Sequence, residues 1–278
     1  MLKGLQNAGI DAHGLDTRDY SPLQLKSDGF ERVFIVLHGR GGEDGSIQGA
    51  LEFLDIPYTG SRVLGSALAM DKVRTKQIWQ ALGLPTAPYA VVHRADYLAA
   101  DAAQLFESLN LCAFVKPSRE GSSIGIVKAE SAEQLHQAIE TAFEHDDEVL
   151  VESFIDGPEY TVSIVGDQVL PAIELRTARS FYDYAAKYQS GDTQYICPCE
   201  LTDDDREELN RLSLRAFESL GCEGWGRVDI MRDANGAFQL LEVNTVPGMT
   251  ETSLVPKAAR VAGYSFEELL LKILEEAH

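Results

Sequence analysis

Basic residues are scarce in this 278-residue chain, where 24 Lys and Arg stand against 44 Asp and Glu for a formal net charge of −20. A nucleic-acid backbone is bound by a positively charged surface, so this balance argues against nucleic acid as a partner. An anionic ligand would have to be bound by a few locally placed cations and backbone amides.

Cysteines and long apolar runs are also few. The four cysteines are too sparse and too unevenly spaced to predict a disulfide framework or a zinc site. The longest apolar runs, such as residues 33–37, are far below the ~20 residues of a membrane-spanning helix, so no membrane partner is expected. Met1 is followed by no secretory signal pattern, and we expect a cytoplasmic protein with reduced thiols.

The first part of the chain predicts an open α/β sheet. A buried-type strand at 33–37, a glycine-rich turn at 38–45 and a helix at 46–54 form one βα unit, and ligands of such sheets usually bind at the carboxyl ends of the strands. One helix at 67–82 follows, and Gly83 with two prolines beyond it predicts a boundary between lobes.

Short strands and helices alternate beyond that boundary. Strands are predicted at 112–116, 126–128, 149–152 and 160–165, and helices at 131–143, 202–220 and 265–277. Between residues 176 and 200 the periodicity is lost in a segment rich in Tyr, Gly and Ser. A loop of that length usually has a function, and we interpret it as a lid.

A hairpin is the most informative feature of the sequence. Two apolar runs flank Asn235-Gly236, the strongest short-range hairpin signal. If these two residues form the loop, Asp229 lies opposite Glu242 and Arg227 lies opposite Asn244 on one face. Like charges directly opposite each other destabilise a sheet, so the arrangement favours a cation between the two carboxylates.

Mg²⁺ is the natural candidate for that cation, because carboxylate and amide oxygens are its usual protein ligands. The alternative is a solvated sheet face on which Arg227 neutralises the acids, and spacing alone leaves both interpretations open. The opposite face of the hairpin is predicted to be buried and carries Val228, Ile230, Leu241 and Val243.

A second candidate constellation combines a lysine with a loop of small residues. Lys116 ends a predicted strand, and the amides and hydroxyls of residues 117–125 can contact phosphate oxygens. The Walker pattern is absent, and residues 39–44 fail the dinucleotide pattern because Asp44 replaces its last glycine. Taken alone, the loop also fits a plain hairpin turn, and Lys72 also fits a surface cation.

Three further residues are open to two interpretations. Glu152 and Glu159 bracket a turn and could accept hydrogen bonds from adenine and ribose, although most glutamates merely face water. His38 by itself fits a loop histidine bound by the backbone.

Together, segments 38–45, 116–125, 227–229 and 242–250 resemble the D-alanine-D-alanine ligases of the ATP-grasp superfamily, and the similarity covers essentially the whole chain. The resemblance implies an α/β protein with an ATP-grasp fold and an amino-terminal open α/β (pre-ATP-grasp) domain that here lacks its first strand. The implied domains are a truncated substrate-side domain at 1–66, a central lobe with the phosphate loop at 67–153 and a carboxyl-terminal lobe with lid and metal site at 154–278.

The implied activity is ATP-driven joining of two D-alanines through an acyl phosphate, for peptidoglycan synthesis. The family's nucleotide contacts match Lys72, Lys116, Ser122, Ser123, Glu152, Phe154, Ile155, Glu159 and Lys187. Its ligands for two Mg²⁺ or Mn²⁺ ions match Asp229, Glu242 and Asn244. Its catalytic groups match Ser122, Lys187, Tyr188, Arg227 and Gly248, and its substrate site matches His38, Ser253 and Leu254. Tyr184, Lys187 and Tyr188 would belong to the lid, and the family suggests a homodimer.

Two departures from the family keep alternatives open. The family's glutamate that holds the first substrate's ammonium has no counterpart, and Met1 falls inside the family's first helix, so a truncation or a misassigned start codon is expected. Ser153 stands where the family often has lysine. The alternatives are a non-catalytic nucleotide-binding remnant, a D-alanyl-D-lactate or D-alanyl-D-serine ligase, and an acidic interaction protein, although Lys187-Tyr188 favours the dipeptide product.

Overall fold

The computed structural model describes residues 1–121, 125–176 and 193–278. The helices in these ranges are α1 Leu2–Asn7, α2 Ser46–Phe53, α3 Val63–Met70, α4 Lys72–Ala81, α5 Asp101–Ser108, α6 Ala132–Phe143, α7 Asp203–Ser219, α8 Leu254–Val261 and α9 Phe266–Glu275, with a 3₁₀ turn at Pro22–Gln24. The strands are β1 Tyr89–His93, β2 Ala113–Pro117, β3 Val127–Ala129, β4 Glu148–Ser153, β5 Glu159–Val165, β6 Gln168–Val169, β7 Ile173–Arg176, β8 Gln194–Ile196, β9 Trp225–Arg232 and β10 Phe238–Asn244.

The predicted strand at 33–37 is reduced to a single parallel bridge between Val33 and Tyr58. The Val33 N–H donates to Pro57 O at 2.9 Å, and beyond it the Ile35 N–H donates to the Thr59 hydroxyl instead of to a backbone carbonyl. Within the described ranges the segment therefore joins no strand ladder, and the prediction of a regular strand was wrong. Ile35 is nevertheless buried in a core shared with α8 and α9.

The helix predicted at 67–82 is two helices, α3 and α4, separated at Asp71. Asp71 has extended backbone angles, and its Oδ1 accepts from the Arg74 N–H at 3.0 Å as the N-cap of α4. A capping carboxylate satisfies an N–H group that the helix leaves without a partner, so a new helix begins here. As a consequence, Lys72 and Lys76 lie one turn apart on one face of α4.

The central lobe is a four-stranded antiparallel sheet with the order β1-β4-β2-β3. Its buried residues include Val115, Val151, Leu135 and Ile139, so α6 packs on one face of the sheet. The register pairs Glu152 with Phe114 and Tyr89, which places this glutamate in the middle of the sheet. The strands predicted at 112–116, 126–128 and 149–152 are confirmed within one residue.

The carboxyl-terminal lobe is a second antiparallel sheet with the path β10-β9-β5-β7-β8, and β6 pairs with β5. Helix α7 covers it from Thr202, whose hydroxyl caps the Asp205 N–H. The region predicted as an irregular loop at 176–200 contains β8, which pairs with β7. The prediction was wrong for residue 176 and for residues 194–196, and the part of the proposed lid at 177–192 lies outside the described residues.

The hairpin confirms the predicted register where it carries the polar residues. Asp229 pairs with Glu242 and Arg227 with Asn244. The loop, however, has three residues, because the Asp233 N–H donates to Ala237 O and Gly236 adopts a positive φ of 86°.

A bulge between Leu240 and Glu242 then shifts the register back by one residue. Leu240 rather than the predicted Leu241 therefore joins Val228, Ile230 and Val243 in the core. None of the helices in the described ranges combines the length and the apolar character that a membrane span requires.

Candidate active site

Asp229 is held by a bidentate ion pair on the polar face of the hairpin. The Arg227 Nε and Nη2 atoms donate to the two Asp229 oxygens at 2.8 and 2.7 Å, and the Asn244 amide adds a bond at 3.0 Å. The Asp229 side chain is almost fully buried. A buried carboxylate needs such partners, and the bidentate guanidinium both fixes its orientation and compensates its charge.

Glu242 faces a different cation. The Lys72 Nζ lies 3.7 Å from Glu242 Oε2 and donates to Glu120 O at 2.7 Å, within the predicted phosphate loop. Each carboxylate of the opposed pair therefore has its own cation nearby, supplied by β9 in one case and by α4 in the other. The like charges predicted to face each other do so, and lysine and arginine offset their repulsion.

Glu152 lies at the centre of a buried cluster with two lysines. The Lys76 Nζ contacts Glu152 Oε1, and the Lys116 Nζ is 2.5 Å from Glu152 Oε2. Burial alone would raise the pKa of Glu152, but the two lysines lower it to about 2. For Lys76, burial lowers the pKa and outweighs the attraction of Glu152. For Lys116, burial also acts to lower the pKa, but the attraction of Glu152 is stronger and the pKa is raised.

A cleft of about 400 Å³ brings together most of the predicted residues of the metal and substrate sites. The predicted residues that line it are His38, Lys72, Arg227, Glu242, Asn244, Gly248, Ser253 and Leu254. These residues come from four separate stretches of sequence, so the fold, and not sequence proximity, assembles the cleft.

Ser253 lies at the amino terminus of α8, where the family resemblance predicts a substrate carboxylate. The Ser253 hydroxyl accepts from the Thr250 N–H at 3.1 Å and does not cap α8. The amino-terminal N–H groups of α8 thus have no side-chain cap, and such groups with the helix dipole favour an anion. A Cβ on Gly248 would come within 3.1 Å of the Ser253 hydroxyl, so glycine keeps this corner of the cleft open.

Of the described residues of the predicted nucleotide site, Lys72 lines this cleft and the others do not. Lys116 and Glu152 occupy the adjacent cluster already described. The centre of the Phe154 ring lies 4.6 Å from the Lys128 Nζ. The backbone N–H of Phe154 donates to Cys112 O, so it is already hydrogen-bonded within the protein. Ile155 follows Phe154, and Glu159 begins β5 opposite Met231. Ser122, Ser123, Tyr184, Lys187 and Tyr188 lie outside the described residues.

Two residues in or beside the site were missed by sequence reasoning. Glu43 lines the cleft, where burial raises its pKa and the Gly39 N–H, which donates to its Oε2 at 2.6 Å, opposes that rise. Lys76 lies in the Glu152 cluster. Its spacing of four residues from Lys72 on one helix was the signal that could have found it.

The oxygen donors of Asp229, Glu242 and Asn244 are of the chemical type that Mg²⁺ prefers. Among residues 1–121, 125–176 and 193–278, no group of three or more His, Cys, Asp and Glu is gathered as for a metal, so this set depends on the asparagine as its third member. The donor chemistry fits a divalent ion that completes its coordination with water and phosphate oxygens.

The chain has two antiparallel sheets, and lysines lie beside the first sheet and the opposed carboxylates on the second. This architecture is that of the ATP-grasp proteins. Family models for the D-ala D-ala ligase N-terminus and C-terminus match residues 11–61 and 78–275. The chain belongs to the D-alanine–D-alanine ligase family.

Solved structures agree with this assignment. A D-alanine–D-alanine ligase from Bacillus anthracis superposes with a TM-score of 0.82 at 38% identity, covering 94% of this chain and 83% of that one. A structure of D-alanine–D-alanine ligase from Bacillus anthracis complexed with ATP gives a TM-score of 0.80 at 34% identity, covering 94% of this chain and 87% of that one.

Proposed function

We propose that this protein joins two D-alanines at the expense of ATP, forming D-alanyl-D-alanine for cell-wall peptidoglycan through an acyl-phosphate intermediate. The observation that carries the proposal is that one cleft contains Lys72 and Arg227 together with Glu242 and Asn244. Membership of the ligase family and the ATP complex of a similar enzyme support it.

ATP would lie between the two sheets. Lys72 and Lys116 bind phosphate oxygens together with Ser122 and Ser123, while Glu152, the backbone at Phe154 and Ile155, and Glu159 form the adenosine pocket. Asp229, Glu242 and Asn244 would hold two Mg²⁺ or Mn²⁺ ions, which neutralise charge on the transferred phosphoryl group. Arg227 would then exchange part of its pairing with Asp229 for contact with the reacting carboxylate.

The two amino acids would occupy the cleft on the α8 side. The first carboxylate takes the phosphoryl group from ATP and ADP is released. The ammonium of the second D-alanine gives one proton to water, and the resulting amine attacks the acyl carbon. Phosphate leaves with the electron pair of the broken C–O bond as the nitrogen loses its second proton. Arg227 and the Gly248 amide stabilise the oxyanion that forms, as preorganised donors do in acyl transfer. Ser253 and Leu254 at the start of α8 bind the second carboxylate, and His38 contacts substrate near the attacking amine.

The proposal extends to organisation. We assign three domains to residues 1–66, 67–153 and 154–278. We further propose that the active form is a homodimer and that the protein is located in the cytoplasm. Lys187 and Tyr188, with Tyr184, would close over the phosphates and exclude water from the acyl phosphate, which water would otherwise hydrolyse.

The test is a product assay on the purified full chain. With ATP, Mg²⁺ and D-alanine, we expect ADP, phosphate and D-alanyl-D-alanine in equal amounts, and no phosphate release when D-alanine is omitted. D-Lactate and D-serine as competing second substrates separate the dipeptide ligase from ligases that form depsipeptides or mixed dipeptides. ATP binding without D-alanine-dependent turnover would instead identify a non-catalytic remnant and refute the proposal.

A further inference from the structure

Lys76 is a cation that the proposed reaction does not use and that is almost completely withdrawn from water. Its side chain is 1% exposed, and its Nζ contacts Glu152 Oε1 and the Thr86 hydroxyl. Burying an ammonium is costly unless it is paired, so a lysine kept in such a place needs a reason.

The charges of the cluster supply that reason. Two lysines share one carboxylate, with Lys76 on one oxygen of Glu152 and Lys116 on the other. Without Lys76, Glu152 and Lys116 would form a neutral pair, and the positive charge of Lys116 would be cancelled at short range. With Lys76 present, the three groups together keep one net positive charge, in a low-dielectric environment where a charge acts strongly.

The same lysine also joins the two lobes. Thr86, its second partner, donates to Leu240 O at 3.1 Å, and the Leu240 N–H donates to Pro85 O. Lys76 thus connects α4 to β4 of the central sheet and, through Thr86, to β10, the strand that also carries Glu242. Through these contacts Lys76 fixes the position of α4 and β4, which carry Lys72 and Glu152, relative to β10, which carries Glu242.

We propose that Lys76 is a positioning residue that compensates the charge of Glu152, so that the cluster of Lys76, Glu152 and Lys116 keeps a net positive charge for the phosphates of a bound nucleotide. The proposal rests on the proposed function for the identity of the ligand. It assigns to Lys76 no contact with substrate or nucleotide, and it predicts a defect that increases with the number of phosphates on the ligand.

The experiment measures the equilibrium affinities of the full chain for ATP, ADP and adenosine and takes the ratio of ATP to adenosine affinity as its readout. In Lys76→Met this ratio should fall by about tenfold, which corresponds to about 1.4 kcal/mol. Adding Glu152→Gln to that variant removes both charges and should restore the ratio to near the wild-type value, because a weaker adenosine contact at residue 152 lowers the affinities for ATP and adenosine alike. Ile139→Val, in the core of the same lobe, is the control for a purely structural loss.

Each outcome is decisive. An unchanged ratio in Lys76→Met, or a double variant as poor as the single one, overturns the proposal. If Lys76→Met does not fold, the double variant is compared with Glu152→Gln instead: its ratio must match that of the wild type and must lie below that of Glu152→Gln, and equal ratios in these two variants overturn the proposal. Wild-type protein that binds ATP but makes no dipeptide overturns the proposed function and leaves this comparison intact, whereas wild-type protein that binds no nucleotide overturns both.

Discussion

Replacing Asp71 by alanine tests how the break between α3 and α4 stabilises the lysine side of the site. One atom, Asp71 Oδ1, accepts both the Arg74 N–H at 3.0 Å and the Ser118 hydroxyl at 2.9 Å. The first bond caps the helix that carries Lys72, and the second links that helix to the start of the predicted phosphate loop.

The expected loss of stability follows from those two bonds. Removing an N-cap acceptor costs about 1 kcal/mol. The Ser118 side chain is fully buried, and leaving its hydroxyl without an acceptor costs roughly 1–3 kcal/mol more. We therefore expect Asp71→Ala to lower the free energy of unfolding by about 2–4 kcal/mol, measured by urea denaturation, and to raise KM for ATP because Lys72 is held less firmly.

Asp71→Asn is the matched control, because its amide oxygen can accept both bonds and Asn is as good an N-cap as Asp. It should stay within about 0.5 kcal/mol of the wild type. A loss below that size for Asp71→Ala, or an equal loss for the two variants, would refute the argument that Oδ1 is what stabilises this junction.

The remaining predictions concern the metal site, a helix cap and acid stability. Glu242→Gln should abolish most D-alanine-dependent ATP turnover and its Mg²⁺ dependence, whereas Glu275→Gln at the end of α9 should do neither; unaltered kinetics for Glu242→Gln would favour a merely solvated sheet face. Ser265→Ala removes one half of the capping box of α9 and should cost about 1 kcal/mol in urea denaturation, and a loss near zero would contradict that role for the box. Because the pKa of Glu152 is lowered from 4.5 to about 2, its ionised form stabilises the fold above pH 4.5, and this contribution is lost as the pH falls towards 2. Glu152→Gln should flatten the pH dependence of unfolding in that window, and an unchanged slope would show that the two lysines do not stabilise this carboxylate.

The polar face of the hairpin could be predicted because a period of two and one turn signal determine which residues are opposed. The details of the loop could not be predicted in the same way. A three-residue loop changes the register by one, and the bulge before Glu242 changes it back, so the predicted Asp229–Glu242 pair is confirmed although the predicted loop was wrong. A compensating irregularity of this kind leaves no mark on hydrophobic periodicity.

The helix break at Asp71 and the burial of Lys76 depend on tertiary contacts that the sequence pattern does not show. Helical periodicity runs through Asp71 without a visible break, and its capping role depends on Ser118, which is distant in sequence. Lys76 looks like an ordinary polar residue of a helix until β4 places Glu152 beside it. The resemblance to the ligase family supplied the residue roles in the cleft, and those roles remain predictions.

The most direct test of the proposed reaction follows the carboxylate oxygens of D-alanine. With D-alanine labelled with ¹⁸O in its carboxylate, an acyl-phosphate route transfers one labelled oxygen to inorganic phosphate for every dipeptide formed, and mass spectrometry of the phosphate should detect it. Dipeptide accompanied by unlabelled phosphate, or phosphate release that is indifferent to D-alanine, would contradict the account.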